Sequence, residues 1–140
     1  MSLHGHCNCN AVQVTLKELP EGDARQTAHC RCTTCKRDSG AGGMYVTIVD
    51  EDLVEIDDPT EAKKLWTDNL TESGKPAERW SCGNCSSPLF ARTPNMPSKV
   101  IVRMGLFDDI PPVVTEIYMR NKKSWEPAVE GAASIEGAPY

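Results

Sequence analysis

The chain has 140 residues, a net charge of −5 and a hydrophobic fraction of 39%, which suffices for one domain with a real core. The acidic excess and the lack of a basic stretch argue against a nucleic-acid-binding protein. No segment approaches the roughly 20 apolar residues of a membrane helix, and the first residues lack the apolar run of a secretory signal. We therefore expect a single domain over residues 1–140, in the cytoplasm or the nucleus, with no membrane partner.

Short segments of alternating or β-branched residues recur along the chain and predict strands. In chain order they cover residues 11–16, 44–49, 53–56, 99–104 and 113–119. Residues 60–70 are ambiguous between helix and strand, because their apolar side chains could line one side of a helix. We predict a mostly β domain with at most short helical turns. Its core spans about residues 3–130, and the tail, residues 131–140, lies on the surface with a frayed end.

All seven cysteines fall into three tight groups. The groups are Cys7 with Cys9, then Cys30 with Cys32 and Cys35, then Cys82 with Cys85. The odd number, the missing export signal and the clustering favour metal binding over disulfide bonds. In extended backbone, residues two apart point to the same side, and a two-residue gap that contains glycine suits a tight turn. Each group can therefore direct its sulfurs toward one ion.

Seven thiolates divide naturally into four and three. A structural zinc takes four protein ligands, whereas a zinc with three protein ligands keeps one position open. The contiguous group makes the natural open site, and the two pairs would close the other site. The four-cysteine cluster is then Cys7, Cys9, Cys82 and Cys85, and the three-cysteine cluster is Cys30, Cys32 and Cys35. The sequence thus predicts two zinc ions, one structural and one open.

Other ligand sets are alternatives. Two purely structural zinc ions, or one zinc with spare thiols, would also use these cysteines. His29 and His6 each directly precede a cysteine, so in extended backbone each would point away from its neighbour's metal. We therefore favour neither of them, nor His4, as a ligand, and we interpret His29 as a partly buried ring that supports the site.

An open three-thiolate zinc site suits sulfur chemistry. Such an ion carries a net charge near −1, which weakens it as an activator of water. It is better suited to holding a second thiol as thiolate, the reactive form of sulfur. We therefore assign the catalytic role to the three-cysteine cluster. The adjacent residues Lys36, Arg37, Ser39 and Gly40 could hold the carboxylates of a peptide thiol, with an ordinary solvated loop as the alternative.

The order of these motifs resembles a known family. The motifs are Gly5-His6-Cys7-Asn8-Cys9, His29-Cys30-Arg31-Cys32-Thr33-Thr34-Cys35-Lys36-Arg37-Asp38-Ser39-Gly40, Trp80-Ser81-Cys82-Gly83-Asn84-Cys85-Ser86-Ser87-Pro88-Leu89 and Trp125-Glu126-Pro127. With them the sequence resembles the glutathione-dependent formaldehyde-activating enzymes over nearly its whole length. The resemblance implies a β-tent fold, mostly antiparallel sheets pinned by zinc, and the same division of the cysteines into a structural and a second site. Asn10 and Ser86 stand where relatives commonly carry glycine, at turns and not at ligands.

The resemblance also implies an activity. It is the joining of formaldehyde to glutathione to give S-(hydroxymethyl)glutathione, formally a carbon–sulfur lyase reaction in reverse. Glutathione would then be the small-molecule partner. A non-catalytic zinc-binding interaction module is the main alternative, because the same architecture also serves protein partners. A zinc-ribbon nucleic-acid binder is disfavoured by the net charge.

Overall fold

The computed structural model describes residues 1–140 and is built almost entirely of short strands. The strands are β1 (Leu3–His6), β2 (Gln13–Leu16), β3 (Thr27–Cys30), β4 (Met44–Asp50), β5 (Val54–Asp57), β6 (Lys63–Asp68), β7 (Ala77–Cys82), β8 (Pro88–Arg92), β9 (Lys99–Arg103), β10 (Val113–Ile117) and β11 (Ala133–Ser134). One α-helix, α1, spans Thr33–Ser39, and 3₁₀ turns cover Glu51–Leu53, Met104–Leu106 and Met119–Asn121. No helix is long and apolar enough to cross a membrane.

The strands form two sheets. The smaller has the order β1-β2-β5, and the larger has the order β11-β10-β3-β4-β9-β8-β7-β6. Most neighbours are antiparallel, but β10 runs parallel to both β3 and β11. The mostly β prediction is therefore confirmed. The two parallel pairs depart from the expected antiparallel sheets, because the long segment from β9 brings β10 back beside β3 in the same direction.

The ambiguous segment, residues 60–70, contains strand β6. A turn sets this outcome: the Asp58 carboxylate accepts hydrogen bonds from the backbone N–H groups of Ala62 and Lys63, at 2.8 and 3.1 Å. The chain leaves this turn extended, and all six residues of β6 pair with β7. The apolar spacing that allows a helix here is overridden by strand pairing.

The main core joins the smaller sheet to the centre of the larger one. Val14 and Leu16 of β2 lie in one buried cluster with Val100 and Val102 of β9. In β8, residues 89–91 are all buried, so this central strand is covered on both faces. Each buried aliphatic side chain contributes about 1.5–3 kcal/mol, so this core holds the strands that carry the four-cysteine cluster. The three-cysteine cluster packs in a smaller core with buried side chains of β4 and β10.

The tail, residues 131–140, is tied to the larger sheet, so the predicted frayed end is not found. Strand β11 pairs with β10, and the N–H of Ile135 donates to the carbonyl of Glu116 at 2.9 Å. The N–H of Tyr118 donates to the carbonyl of Gly137 at 3.0 Å. Tyr140 then lies at the wall of a cavity beside the three-cysteine cluster. The pairing of the tail with β10 is not predicted from the sequence, because the tail has few of the β-branched residues that indicate strands.

Candidate metal centres and the cavity between the arginines

The four-cysteine cluster has the geometry of a zinc site. Its sulfur atoms all lie within 4.8 Å of one another, and the Sγ atoms of Cys7 and Cys9, and of Cys9 and Cys82, are each 3.7 Å apart. Tetrahedral zinc with Zn–S bonds of about 2.3 Å places its sulfurs about 3.8 Å apart. These two sulfur–sulfur distances therefore match those of a tetrahedral zinc site. It joins the turn after β1 to the turn between β7 and β8.

Two left-handed residues shape these turns. Asn10 has a φ of 65° and Ser86 a φ of 66°. The N–H of Asn10 donates to the carbonyl of Cys7, and that of Ser86 to the carbonyl of Cys82. Left-handed backbone is the conformation that glycine adopts most readily, which explains why glycine suits both positions. Asn10 and Ser86, where relatives commonly carry glycine, thus affect the geometry of the two turns and not the cysteine ligands.

A serine hydroxyl supports the exposed side of the four-cysteine cluster. Ser87 Oγ accepts a hydrogen bond from the N–H of Asn8 at 2.9 Å and lies 3.3 Å from Cys85 Sγ. Because one lone pair is used by Asn8, the hydroxyl hydrogen is free to donate to the sulfur. This hydrogen bond lowers the pKa of Cys85 to about 5. A metal ligand must be deprotonated, so Ser87 prepares Cys85 for binding.

The three-cysteine cluster is assembled where β3 meets α1. Cys30 is the last residue of β3, Cys32 caps the N-terminus of α1, and Cys35 lies in its first turn. The N–H of Cys35 donates to Cys32 Sγ at 3.3 Å, and the three sulfurs lie within 4.8 Å of one another. One helical turn therefore brings Cys35 back to the other two, in place of the simple turn predicted from the sequence.

The three sulfurs influence one another's protonation. Hydrogen bonds from Cys30 and Cys35 lower the pKa of Cys32, whereas the hydrogen bond with Cys32 and burial raise the pKa of Cys30. All seven cysteines are free thiols. The donor set of three sulfurs from one contiguous segment fits a zinc ion with a fourth position available.

None of the three histidines belongs to either cluster. His29 Nδ1 lies 3.0 Å from Glu116 Oε1, so its ring faces the buried carboxylate. His4 bonds the hydroxyl of Thr15, and His6 donates to the carbonyl of Cys7. The interpretation of His29 as a partly buried supporting ring agrees with this position.

Arg31 links the three-cysteine cluster to the C-terminal motif at residues 125–127. Its guanidinium is buried against Glu116 at 3.0 Å, forms an ion pair with Glu126, and donates to the carbonyl of Pro127 at 3.2 Å. Glu116 also accepts from the N–H of Val129 at 2.9 Å. Burial opposes ionisation of Glu116, but these hydrogen bonds lower its pKa below the ordinary value. The network holds the segment that separates Cys30 from Cys32.

Two further arginines lie beside the three-cysteine cluster. Arg103 of β9 donates from Nη1 to Cys35 Sγ at 3.5 Å. Arg79 of β7 donates from Nε to Asp68 Oδ2 at 2.8 Å, and its charge also favours the Cys32 thiolate. Sequence reasoning missed both arginines, because they lie on strands far from the cysteines in the chain. Only the strand order brings them together.

A cavity of about 130 Å³ opens next to the cluster. Its wall includes Cys32, Cys35, Arg79, Arg103 and the tail residue Tyr140. Loop residues 70–73 also line it, and an ion pair between Glu72 and Arg120 connects that loop to the segment after β10. The cavity is therefore enclosed by the loop before β7 and by the tail.

The residues predicted to bind substrate do not line this cavity. They are Lys36, Arg37, Ser39 and Gly40. Lys36 and Arg37 are exposed on α1 and do not line the cavity. Ser39 Oγ donates to the carbonyl of Lys36 and accepts from the N–H of Ala41, while the N–H of Gly40 donates to the same Lys36 carbonyl. The polar groups of Ser39 and Gly40 are thus engaged within the helix end. A ligand inside the cavity would meet Arg79 and Arg103 first.

Comparison with known proteins agrees with this description. The sequence profile of a family described as glutathione-dependent formaldehyde-activating enzyme matches residues 2–127. A crystal structure of a Rhodobacter sphaeroides protein is similar in fold, with a TM-score of 0.58 and 17% sequence identity. The similarity covers 79% of this chain and 92% of that one. No curated protein matches the chain. Because the profile covers most of the chain and both cysteine clusters, the chain belongs to the glutathione-dependent formaldehyde-activating enzyme family.

Proposed function

We propose that the chain is a zinc-dependent enzyme of the carbon–sulfur lyase type that acts on thiol adducts. Its preferred reaction would join glutathione and formaldehyde to S-(hydroxymethyl)glutathione. The observation that carries the proposal is the division of the cysteines into a set of four and a set of three, with a cavity beside the three. Four sulfurs complete a tetrahedral zinc site, whereas three leave a position for an external ligand.

The reaction requires an ionised thiol beside an electrophilic carbon. A zinc ion at the three-cysteine cluster would supply the positive charge that keeps an incoming thiol ionised. The thiolate sulfur then forms a bond to the carbonyl carbon of formaldehyde, the C=O π pair moves to oxygen, and that oxygen takes up the proton that the thiol released. Atoms and charge balance without any oxidant or reductant.

The chain's own residues prepare this step. Cys30, Cys32 and Cys35 would hold the ion, and the guanidinium groups of Arg79 and Arg103 offset the negative charge that a fourth thiolate adds. Loop residues 70–73 and Tyr140 form part of the cavity wall and would reduce the contact of a bound thiol with bulk water. Lys36 and Arg37 are candidates for contacts with the part of a peptide thiol that extends outside the cavity. Ser39 and Gly40 would position them.

Cys35→Ser tests the proposal. Because Cys35 belongs only to the three-cysteine cluster, the variant should keep the four-cysteine site, fold, retain about one zinc per chain and lose thiol-dependent turnover of formaldehyde. Turnover is followed by NMR of ¹³C-formaldehyde with glutathione. Cys82→Ser is the contrasting variant, and it should lose stable folding because it opens the structural site. Full activity in Cys35→Ser would refute the mechanism.

A non-catalytic zinc-binding interaction module is the second candidate, and one observation favours it. Leu65 and Trp66 lie on the edge strand β6 and are 44% and 52% exposed. Exposed apolar residues on an unpaired strand edge are typical of a docking surface. In cobalt-substituted protein, this candidate predicts no spectral change on addition of glutathione, whereas the enzyme should gain a sulfur ligand.

A further inference from the structure

Arg79 is fixed in the cavity wall by a buried carboxylate. Its Nε donates to Asp68 Oδ2 at 2.8 Å, and the Asp68 side chain is only 1% exposed. Asp68 also accepts from the N–H of Leu70 at 2.9 Å and from Thr34 Oγ1 at 3.3 Å. Burial opposes ionisation of Asp68, but the hydrogen bond from Arg79 and these further contacts lower its pKa below the ordinary value. Asp68 is thus held by contacts from α1 and from the loop after β6, and its carboxylate in turn fixes the direction of the Arg79 side chain.

The outer end of Arg79 has no protein partner. Only its Nε donates a hydrogen bond, and both Nη groups belong to a side chain that lines the cavity and is 17% exposed. A guanidinium presents its two Nη–H groups as a planar fork that matches a carboxylate. Since Nε is already engaged, this fork is pre-organised for an anion inside the cavity.

The Nη groups of the other arginines in the cavity wall face protein partners. Arg103 contacts Cys35 Sγ and lies 4.0 Å from Asp38. Arg92 donates to Glu51 at 2.9 Å, and Glu72 is paired with Arg120. The unpaired Nε of Arg103 is buried, and Arg92 is 40% exposed where it pairs with Glu51. Arg79 is therefore the arginine beside the cluster whose two Nη groups both lack a protein partner.

The size of the cavity limits what can accompany the anion. A dry cavity of about 150 Å³ binds benzene, so about 130 Å³ accommodates a ligand of about six non-hydrogen atoms. Pockets for larger ligands usually measure about 300–1,000 Å³. The enclosed space thus fits a thiol and a carboxylate separated by a short carbon chain, and a larger thiol would have to leave its remainder outside.

We propose that Arg79 selects thiols that carry a carboxylate a few bonds from the sulfur, by binding that carboxylate while the sulfur docks at the three-cysteine cluster. The inference rests on the proposed function, since it assumes that a thiol occupies the open position. It adds a specificity residue and a substrate class, a short mercaptocarboxylate. Glutathione, whose cysteine carboxyl is an amide and whose glycine carboxylate lies beyond a peptide bond, would fit this subsite less well. Asp68 acts through Arg79 and is a positioning residue.

Two isosteric thiols test the proposal without relying on catalysis. The probes are 3-mercaptopropionate and its neutral analogue 3-mercaptopropionamide, titrated into the cobalt-substituted protein while the thiolate-to-metal absorption is recorded. We expect the carboxylate to bind about 10- to 100-fold more tightly than the amide, as for a charge-assisted pair of hydrogen bonds. The comparison holds the thiol and the chain length constant.

Variants assign this preference to one side chain. Arg79→Gln should reduce the ratio of the two affinities to about one, and Arg79→Lys should restore part of it. Arg25→Gln is the matched control, because Arg25 donates to the carbonyl of Lys17 and does not line the cavity. It should leave the ratio unchanged. Arg37→Gln tests the exposed cations of α1 and should not lower the ratio for these short thiols.

Each outcome has a distinct meaning. If neither thiol changes the cobalt spectrum, the open thiol site itself is refuted, and with it the proposed function. If both thiols bind with equal affinity, the proposed function stands and the role of Arg79 is refuted. A preference that survives Arg79→Gln, or that disappears in Arg37→Gln, also overturns the assignment. If Arg79→Gln does not fold, the ratio of the two affinities in the wild type and in Arg79→Lys still tests the proposal.

Discussion

Arg103 donates a hydrogen bond from Nη1 to the Sγ atom of Cys35, across 3.5 Å and 68 residues of sequence. The arginine is 4% exposed, so its charge acts on the sulfur with little screening by solvent. The buried Nε of Arg103 has no hydrogen-bond partner, which lowers the stability of the folded protein. The hydrogen bond with Cys30 lowers the pKa of Cys35, but the hydrogen bond with Cys32 and burial outweigh it and raise that pKa, and the charge of Arg103 acts in the opposite direction. We interpret the contact as one that favours the Cys35 thiolate and so supports metal binding at the three-cysteine cluster.

Replacing Arg103 should weaken the second metal site selectively. Arg103→Gln removes the charge and the hydrogen bond to Cys35, and loss of such a supporting contact typically costs about 10- to 100-fold in metal affinity. Chelator competition should therefore release the first zinc equivalent more readily than in the wild type. The second equivalent, held by the four-cysteine cluster, should be retained as before. An unchanged release of the first equivalent would show that Arg103 does not support the cluster.

Ser87→Ala should weaken the opposite site. The change removes the donor to Cys85 Sγ and leaves the N–H of Asn8 without its acceptor, so we expect about a tenfold loss of zinc affinity at the four-cysteine cluster. The same chelator competition measures this affinity, through the release of the second and more tightly held zinc equivalent. Ser134→Ala, on the exposed edge strand β11, is the control. Equal affinities in Ser87→Ala and the control would contradict the role of the hydroxyl.

Ser86→Gly should stabilise the protein. Ser86 adopts a φ of 66°, a left-handed conformation that costs an L-residue with a side chain about 1–2 kcal/mol. Glycine removes this cost but adds flexibility to the unfolded chain, so the expected net gain is about 0.5–1 kcal/mol. Chemical denaturation of the zinc-loaded protein measures the free energy of unfolding. A loss of stability would mean that the Ser86 side chain has a role beyond the turn.

Glu116 should make the protein sensitive to acid. Its pKa is lower in the folded chain than the ordinary value of 4.5, so its contribution is fully present above that value and is lost as the pH falls through the folded-state pKa. Glu116→Gln leaves Arg31 with a weaker partner, and we expect it to cost about 3 kcal/mol at neutral pH. The difference between wild type and variant should shrink below about pH 4.5.

Zinc loss in acid does not obscure this comparison. Both proteins carry the same seven cysteines, so protonation of the thiolates affects them equally. Denaturation curves recorded side by side at several pH values therefore compare the Glu116 carboxyl group, with its contacts to His29 and Arg31, against an amide that does not titrate. A difference in unfolding free energy that stays constant down to low pH would show that Glu116 does not titrate with a lowered pKa.

The sequence predicts the metal sites because their ligands are close in the chain. Two residues of extended backbone, or one turn with glycine, fix the direction of a cysteine pair almost independently of the rest of the fold. The three-cysteine cluster therefore follows from local spacing, and the joining of the two distant pairs follows from the four ligands that a structural zinc needs. The structure brings the same seven sulfurs together in these two clusters. The mostly β class follows for a similar reason, since alternation along a strand is a local property.

The contacts between the clusters and distant strands could not be predicted in this way. Arg79 and Arg103 reach the three-cysteine cluster only because β7 and β9 belong to the same sheet as β3. Strand order depends on pairing between distant segments, which no local pattern specifies. Sequence reasoning therefore named Lys36 and Arg37, the nearest cations in the chain, whose role in substrate binding stays a prediction. The turn at Asp58, which makes β6 a strand, is likewise visible only once its hydrogen bonds are known.

The sulfur count at the two metal ions is the central claim, and zinc X-ray absorption spectroscopy measures it directly. In protein loaded with two zinc ions, the seven cysteine sulfurs should be shared between the two sites, an average of about 3.5 sulfurs per ion. Saturating glutathione should raise the average to about 4, because one external sulfur fills the open position. An average that stays the same, or a second ion completed by a nitrogen ligand of the chain, would contradict the account.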